Sequence, residues 1–89
     1  MKFTSDPEKN ATNQRKHGIS LRNAERMDLS TALYASDDRH DYGEPRAQAL
    51  GMIDSRLHML VFTMRGPVMR VISLRKANLK EMKRYDEKS

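Results

Sequence analysis

"RAQALGMIDSRLHMLVFTMRGPVMRVISLRK", residues 46–76, decides the fold. Three runs rich in β-formers follow one another, separated only by Asp54-Ser55 and Arg65-Gly66, and connections this short join consecutive antiparallel strands. The middle run, 56–64, is nearly continuous in apolar residues, as expected of a central strand buried on both faces. Pro67 has no N–H for a ladder, so the last strand begins at the edge of pairing. A two-residue turn at Arg65-Gly66 pairs Thr63 with Val68 and Val61 with Arg70. It sets Leu57, Met59, Val61 and Thr63 on one face with Leu74, Ile72, Arg70 and Val68, and Arg75 on the other face opposite Arg56. Neither face is wholly apolar. A guanidinium inside a β-pattern must reach water at a rim or an anion. For Arg70 that anion is either a carboxylate of the protein itself or a phosphate.

Working outward, "MKF" reads as a short first strand. Asp6 caps a helix over 7–16 with Pro7 at its first position and Gly18 as the left-handed residue after its end. That helix is polar nearly all round, so its stability must come from elsewhere in the fold. Ser20 caps a second helix over 20–28, with Ile19 stapling against Ala24. "TALYA" is a further strand, followed by the acidic, turn-rich loop "SDDRHDYGEPR". In "NLKEMKRYDE", residues 78–87, Asn78 and Glu81 form a capping box, and Leu79, Met82 and Tyr85 make an apolar stripe. The predicted order is β-α-α-β-β-β-β-α: an α+β domain over 1–89, one mainly antiparallel sheet with helices packed on it.

The chain has 89 residues, 37% hydrophobic and 33% charged, which suits one small domain with a modest core. Zero cysteines exclude disulfides, a thiolate nucleophile and a thiolate zinc site, and fit a reducing cytoplasm. "MKFTSDPEKN" has no apolar core of a signal peptide, and no run approaches the roughly 18 apolar residues of a membrane span; the expectation is a soluble, unexported protein. No phosphate-cradling glycine loop, GxSxG elbow, HExxH or EF-hand spacing occurs, which argues against NTPase, kinase and serine-hydrolase chemistry and against a metal or other cofactor. Asp37, Asp38, His40, Asp41 and Glu44 cluster only as a polar loop does.

Charge is distributed unevenly. The net charge is +5, yet residues 65–84 carry seven cations against Glu81 alone, a local +6, while the other 69 residues hold ten cations and eleven acids and sum to −1. The last strand and helix therefore form an electrostatic footprint for a polyanion or an acidic protein. Arginine matches phosphate oxygens with a planar fork of donors, which singles out Arg65, Arg70 and Arg75 with Lys76 beside them. His17 stands at the C-terminal end of the first helix, where the helix dipole favours a cation. His40 lies in the acidic loop and His58 on a strand. Each histidine is a candidate for proton transfer near neutral pH as well as for a packing role.

Four segments, "SDPEKNATNQRKHGISL", "DDRHDYGEPR", "RVISLRKA" and "EMKRY", together resemble the BrnT family of toxins from bacterial type II toxin–antitoxin modules. The resemblance runs from about residue 3 to residue 85. It implies a RelE-like fold and a metal-independent endoribonuclease that cleaves mRNA and halts translation. It also implies a BrnA-type antitoxin bound in a hetero-oligomer, with DNA contacted only through that antitoxin. Carried over by motif, it points to Lys16 and His17 in "KHG", Arg39 and His40 in "DDRHD", Arg65 at the hairpin tip, and Arg70, Ser73, Arg75 and Lys76 in "RVISLRK", with Tyr85 in the last helix. Arg65, Arg75, Lys76, His17, His40 and Tyr85 are the catalytic candidates. Lys16, Arg39, Arg70, Ser73, Lys80, Lys83 and Arg84 are the RNA-binding ones. The chain departs from the family twice, with Ser5 where a tryptophan usually precedes "DP" and Leu74 where an alanine is usual. The rival expectation is a module without catalysis that docks RNA or an acidic protein on the same basic strand and helix.

Overall fold

The computed structural model describes residues 1–39, 41 and 43–88. Its elements are β1 (Lys2–Ser5), α1 (Pro7–His17), a 3₁₀ helix (Leu21–Arg26), β2 (Leu33–Ser36), β3 (Ala47–Ile53), β4 (Arg56–Arg65), β5 (Val68–Lys76) and α2 (Leu79–Lys88). Among the described residues the strands form a five-stranded sheet in the order β1-β5-β4-β3-β2, antiparallel except where β1 runs parallel to β5. The second helical element differs from expectation: it is a six-residue 3₁₀ helix, not an α-helix over 20–28. Its C-cap Met27 is extended, and Asp28 N–H bonds to Met52 O at 2.9 Å, so the chain is drawn off the helix onto the sheet.

The predicted caps form. Asp6 accepts from Glu8 N–H at 2.8 Å, Pro7 opens α1, and Gly18 closes it at φ +69°. In α2, Asn78 Oδ1 accepts from Glu81 N–H at 2.8 Å while Glu81 accepts from Asn78 N–H at 2.9 Å, the reciprocal capping box.

The last hairpin turns one step later than the sequence suggested. The turn residues are Gly66, at φ +59°, and Pro67, so Arg65 pairs with Val68 and Thr63 with Arg70. A β-bulge follows: Phe62 faces Val71 but Val61 faces Ser73, leaving Ile72 as the extra residue. These two shifts overturn the expected map of β5. Leu74 now faces Leu60 and is fully buried, and Arg75 faces Met59 instead of Arg56.

Two apolar layers result. On one face Leu60, Phe62, Met69, Val71 and Leu74 pack against Leu21, Ala24 and Met27 of the 3₁₀ segment. On the other, Leu50, Leu57, Met59 and Ala77 meet Met82 and Tyr85 of α2. The polar helix α1 is held differently. Its buried residue is Asn13, whose carboxamide accepts from Leu74 N–H at 3.0 Å and donates to Leu74 O and Ile19 O, both at 2.8 Å. β1 pairs with β5 only as far as Val71, so beyond that point the outer edge of β5 is open and Asn13 satisfies it.

Candidate functional site

The open edge of β5 and the exposed side of α1 flank a cleft of about 350 Å³, lined by Glu8, Lys9, Thr12, Lys16 and His17 of the helix and by Ile72 and Ser73 of the strand, so that one carboxylate stands among its cations. Lys9, Thr12 and Lys16 recur at helical spacing, which places them along one side of α1. The bulge at Ile72 and the Asn13 carboxamide together fix how far the strand stands from the helix. "KHG" and "RVISLRK", more than fifty positions apart, thus meet through Lys16, His17 and Ser73.

The four motif arginines, Arg39, Arg65, Arg70 and Arg75, behave otherwise, because each lies beside a carboxylate. Arg39 grips the buried Asp37 through Nε and an η nitrogen at 2.7 and 2.9 Å. Arg65 lies 3.5 Å from Glu44, and Arg70 lies 3.7 Å from Asp6. Arg75 holds Glu81 through two parallel bonds of 2.8 Å. The anion required by Arg70 is therefore the N-cap of α1. The Arg75–Glu81 bonds raise the guanidinium's pKa, against the opposing effects of burial and of nearby Arg39. They likewise lower that of the Glu81 carboxyl, with the Asn78 N–H assisting and burial opposing.

The remaining expected residues scatter. Lys76 faces His58 on the sheet side away from Arg75 and lines a separate cleft. Tyr85 packs under α2 and donates its hydroxyl to Thr31 O at 3.3 Å, far in sequence from the α1 motif. Lys80, Lys83 and Arg84 line a shallow hollow on α2. His40 lies outside the described residues. Sequence reasoning missed Lys9, Thr12 and Asn13; the repeat of polar side chains at helical intervals in "EKNATNQRK" was the available signal for the first two. Among the described residues no three His, Asp or Glu side chains group as metal ligands, and no helix is long and apolar enough to cross a membrane.

Ser5 and Leu74, the two departures, have defined surroundings. Ser5 faces Val71 and lines a hollow of about 350 Å³ with Phe3, Leu21 and Val71, whereas Leu74 fills the core between sheet and helix.

The fold is that of a small mixed α+β protein with a cleft at a strand edge, and comparison narrows the class. The sequence profile of the "Ribonuclease toxin, BrnT, of type II toxin-antitoxin system" family matches residues 6–81. The chain belongs to the BrnT family. Among solved structures, the crystal structure at 1.1 Å of the Brucella abortus ribonuclease toxin BrnT superposes with a TM-score of 0.71 and 26% identity, covering 88% of this chain and 97% of that one. No curated protein sequence matches. Membership implies an antitoxin partner and an RNA target.

Proposed function

We propose that this chain is a metal-independent endoribonuclease toxin of RelE-like ancestry that cleaves mRNA in the cytoplasm and is neutralised by a BrnA-type antitoxin. The observation that carries the reading is the meeting of Lys16 and His17 with Ser73 in one groove beside the open edge of β5. Single-stranded RNA brings its own nucleophile. Attack of a 2′-hydroxyl on the adjacent phosphorus breaks the bond to the 5′-oxygen, leaving a 2′,3′-cyclic phosphate and a free 5′-hydroxyl. The protein must move one proton from the attacking oxygen and one to the leaving oxygen, and stabilise charge on the phosphoryl oxygens. His17 is assigned proton transfer. Lys16 is assigned the phosphoryl charge, with Lys9 extending the cationic wall along the strand.

Arg75 enters this scheme by holding α2 through Glu81 and not as a free phosphate ligand. Arg70 braces the N-cap of α1 in the same way. The test is incubation of the purified protein with single-stranded RNA in EDTA, beside His17→Ala and Lys16→Met. Cyclic-phosphate fragments from the wild type, reduced at least tenfold in both variants, are expected. Equal cleavage by His17→Ala refutes the assignment.

One observation favours the rival reading. The motif arginines are engaged by carboxylates, while Lys80, Lys83 and Arg84 lie exposed on α2. A docking module using α2 alone leaves RNA intact and loses partner binding when these three are substituted.

A further inference from the structure

The scheme above leaves a second basic cleft unused. It lies on the same side of the sheet as α1, has a volume of about 330 Å³, and is lined by Ile19, Arg26, Asp54, Arg56, His58 and Lys76. Arg26 is paired with Asp54, so those two charges offset each other. Among the described residues neither Arg56 nor Lys76 has a carboxylate partner. Arg56 makes one bond, to Ala77 O at 3.3 Å, and Lys76 is exposed. His58 is 7% exposed, and its Nδ1 lies 2.8 Å from Arg56 O. A carbonyl only accepts, so Nδ1 donates, and in the neutral ring Nε2 is an acceptor, suited to a ribose hydroxyl and not to a phosphate oxygen.

The two clefts adjoin at the C-terminal end of α1. His17 lines the first and Ile19, two residues on, lines the second. Two residues of chain span at most about 7 Å, a step that a single extended RNA strand crosses within a few nucleotides. The second cleft is open and charged, with Ile19 and Ile53 as its apolar lining beside Arg56 and Lys76, which have no carboxylate partner among the described residues, so it suits a sugar-phosphate backbone better than a base.

We propose that Arg56 and Lys76, with His58 between them, form a second phosphate subsite that holds the RNA strand next to the cleavage groove. This rests on the reading of the chain as an RNA-directed toxin. It differs from that reading in assigning binding, not chemistry, to Lys76, and in bringing Arg56 and His58 into the RNA path. Contact with phosphate alone carries no sequence information, so the subsite sets register and affinity without base preference.

The experiment measures binding of a labelled 2′-O-methyl RNA 12-mer, which lacks the nucleophile, by fluorescence anisotropy over a range of salt. It compares wild type, Lys76→Gln and Arg56→Gln/Lys76→Gln, with thermal unfolding to verify folding. Each phosphate contact on a single strand contributes about 0.7 to the slope of log affinity against log salt. The expected slope is shallower by about 0.7 in the single variant and about 1.4 in the double, with affinity at low salt falling about tenfold or more in the double. Slopes equal to wild type overturn the subsite. Because the Lys76 side chain is exposed and makes no hydrogen bond or ion pair among the described residues, the single variant decides the matter if the double fails to fold. Shallower slopes together with no cleavage of ordinary RNA by the wild type retain the subsite and refute the ribonuclease reading. Absence of RNA binding by the wild type, with a poly-glutamate peptide bound and then lost in Lys76→Gln, overturns the proposal in favour of an acidic protein partner.

Discussion

Removing the charge of Glu81 tests how α2 is fastened to the sheet. Glu81 accepts two 2.8 Å bonds from Arg75 and one of 2.9 Å from Asn78 N–H, and its side chain is 13% exposed against 31% for Arg75. Hydrogen bonds to charged groups contribute about 1.5–3 kcal/mol, and the exposure of the guanidinium brings this pair towards the low end. Glu81→Gln keeps an oxygen for the cap and removes the ionic part, so a loss of about 1–1.5 kcal/mol is expected. Glu81→Ala also opens the capping box, itself worth about 1 kcal/mol, for a total of about 2–3 kcal/mol. In a domain of this size about 1 kcal/mol shifts Tm by roughly 4–8 °C. Circular dichroism melts at pH 7 should therefore place the Gln variant roughly 5–10 °C below wild type. The pH dependence has a definite sign. The folded-state pKa of Glu81 is depressed by Arg75, so the stabilisation is present above its unfolded value of about 4.3 and is lost as pH falls through the folded value. The gap between wild type and Glu81→Gln should shrink on acidification towards pH 3. A gap of the same size at pH 7 and pH 3, or none at pH 7, refutes the account.

Three further perturbations follow from the packing. Asn13→Ala strands Leu74 N–H, Leu74 O and Ile19 O and should destabilise by about 2–4 kcal/mol in urea unfolding; a loss below 0.5 kcal/mol means α1 docks by other contacts. Ser5→Trp puts an aromatic into the hollow beside Leu21 and Val71, and half-burial of such a ring at ~25 cal/mol per Å² should raise stability by about 2 kcal/mol, read as a higher Tm. Gly51→Ala drives a methyl to within 2.7 Å of the Met27 side chain and 3.2 Å of Ala32 Cβ; since Met27 is buried, a loss of about 1–3 kcal/mol is expected by the same melts, and an unchanged Tm shows that the methionine swings clear.

Much of the fold is legible because its signals are local. Asp6-Pro7, Gly18 and the Asn78–Glu81 box each act within one turn of helix, and each forms. The register of β5 was not legible. "VMRVISLR" places Val68, Arg70, Ile72 and Leu74 in strict alternation, and nothing in it marks Ile72 as surplus. The turn carried a usable clue: a glycine tolerates the positive φ needed at the first turn position, and Pro67 suits the second, where no ladder N–H is needed. The site was half legible. "KHG" announced Lys16 and His17, but their neighbour Ser73 depends on the bulge and on the bonds from Asn13. The arginine partners came from four places, Asp6, Asp37, Glu44 and Glu81, and pairings between distant segments leave no mark in charge counts.

The surplus residue in β5 also makes the strand a phase switch. Upstream of Ile72 the strand alternates in one phase, and downstream it alternates in the other. Deleting Ile72 removes the bulge and returns β5 to unbroken alternation, leaving Ser73 opposite Val61, Leu74 opposite Leu60 and Arg75 opposite Met59. The full-length strand paired without the bulge would instead turn Leu74 towards α2 and drive Arg75 towards the layer that Leu74 fills. Loss of the surplus residue between Val71 and Ser73 should therefore leave the downstream layers in place and be felt instead at the Ile72–Ser73 wall of the cleft.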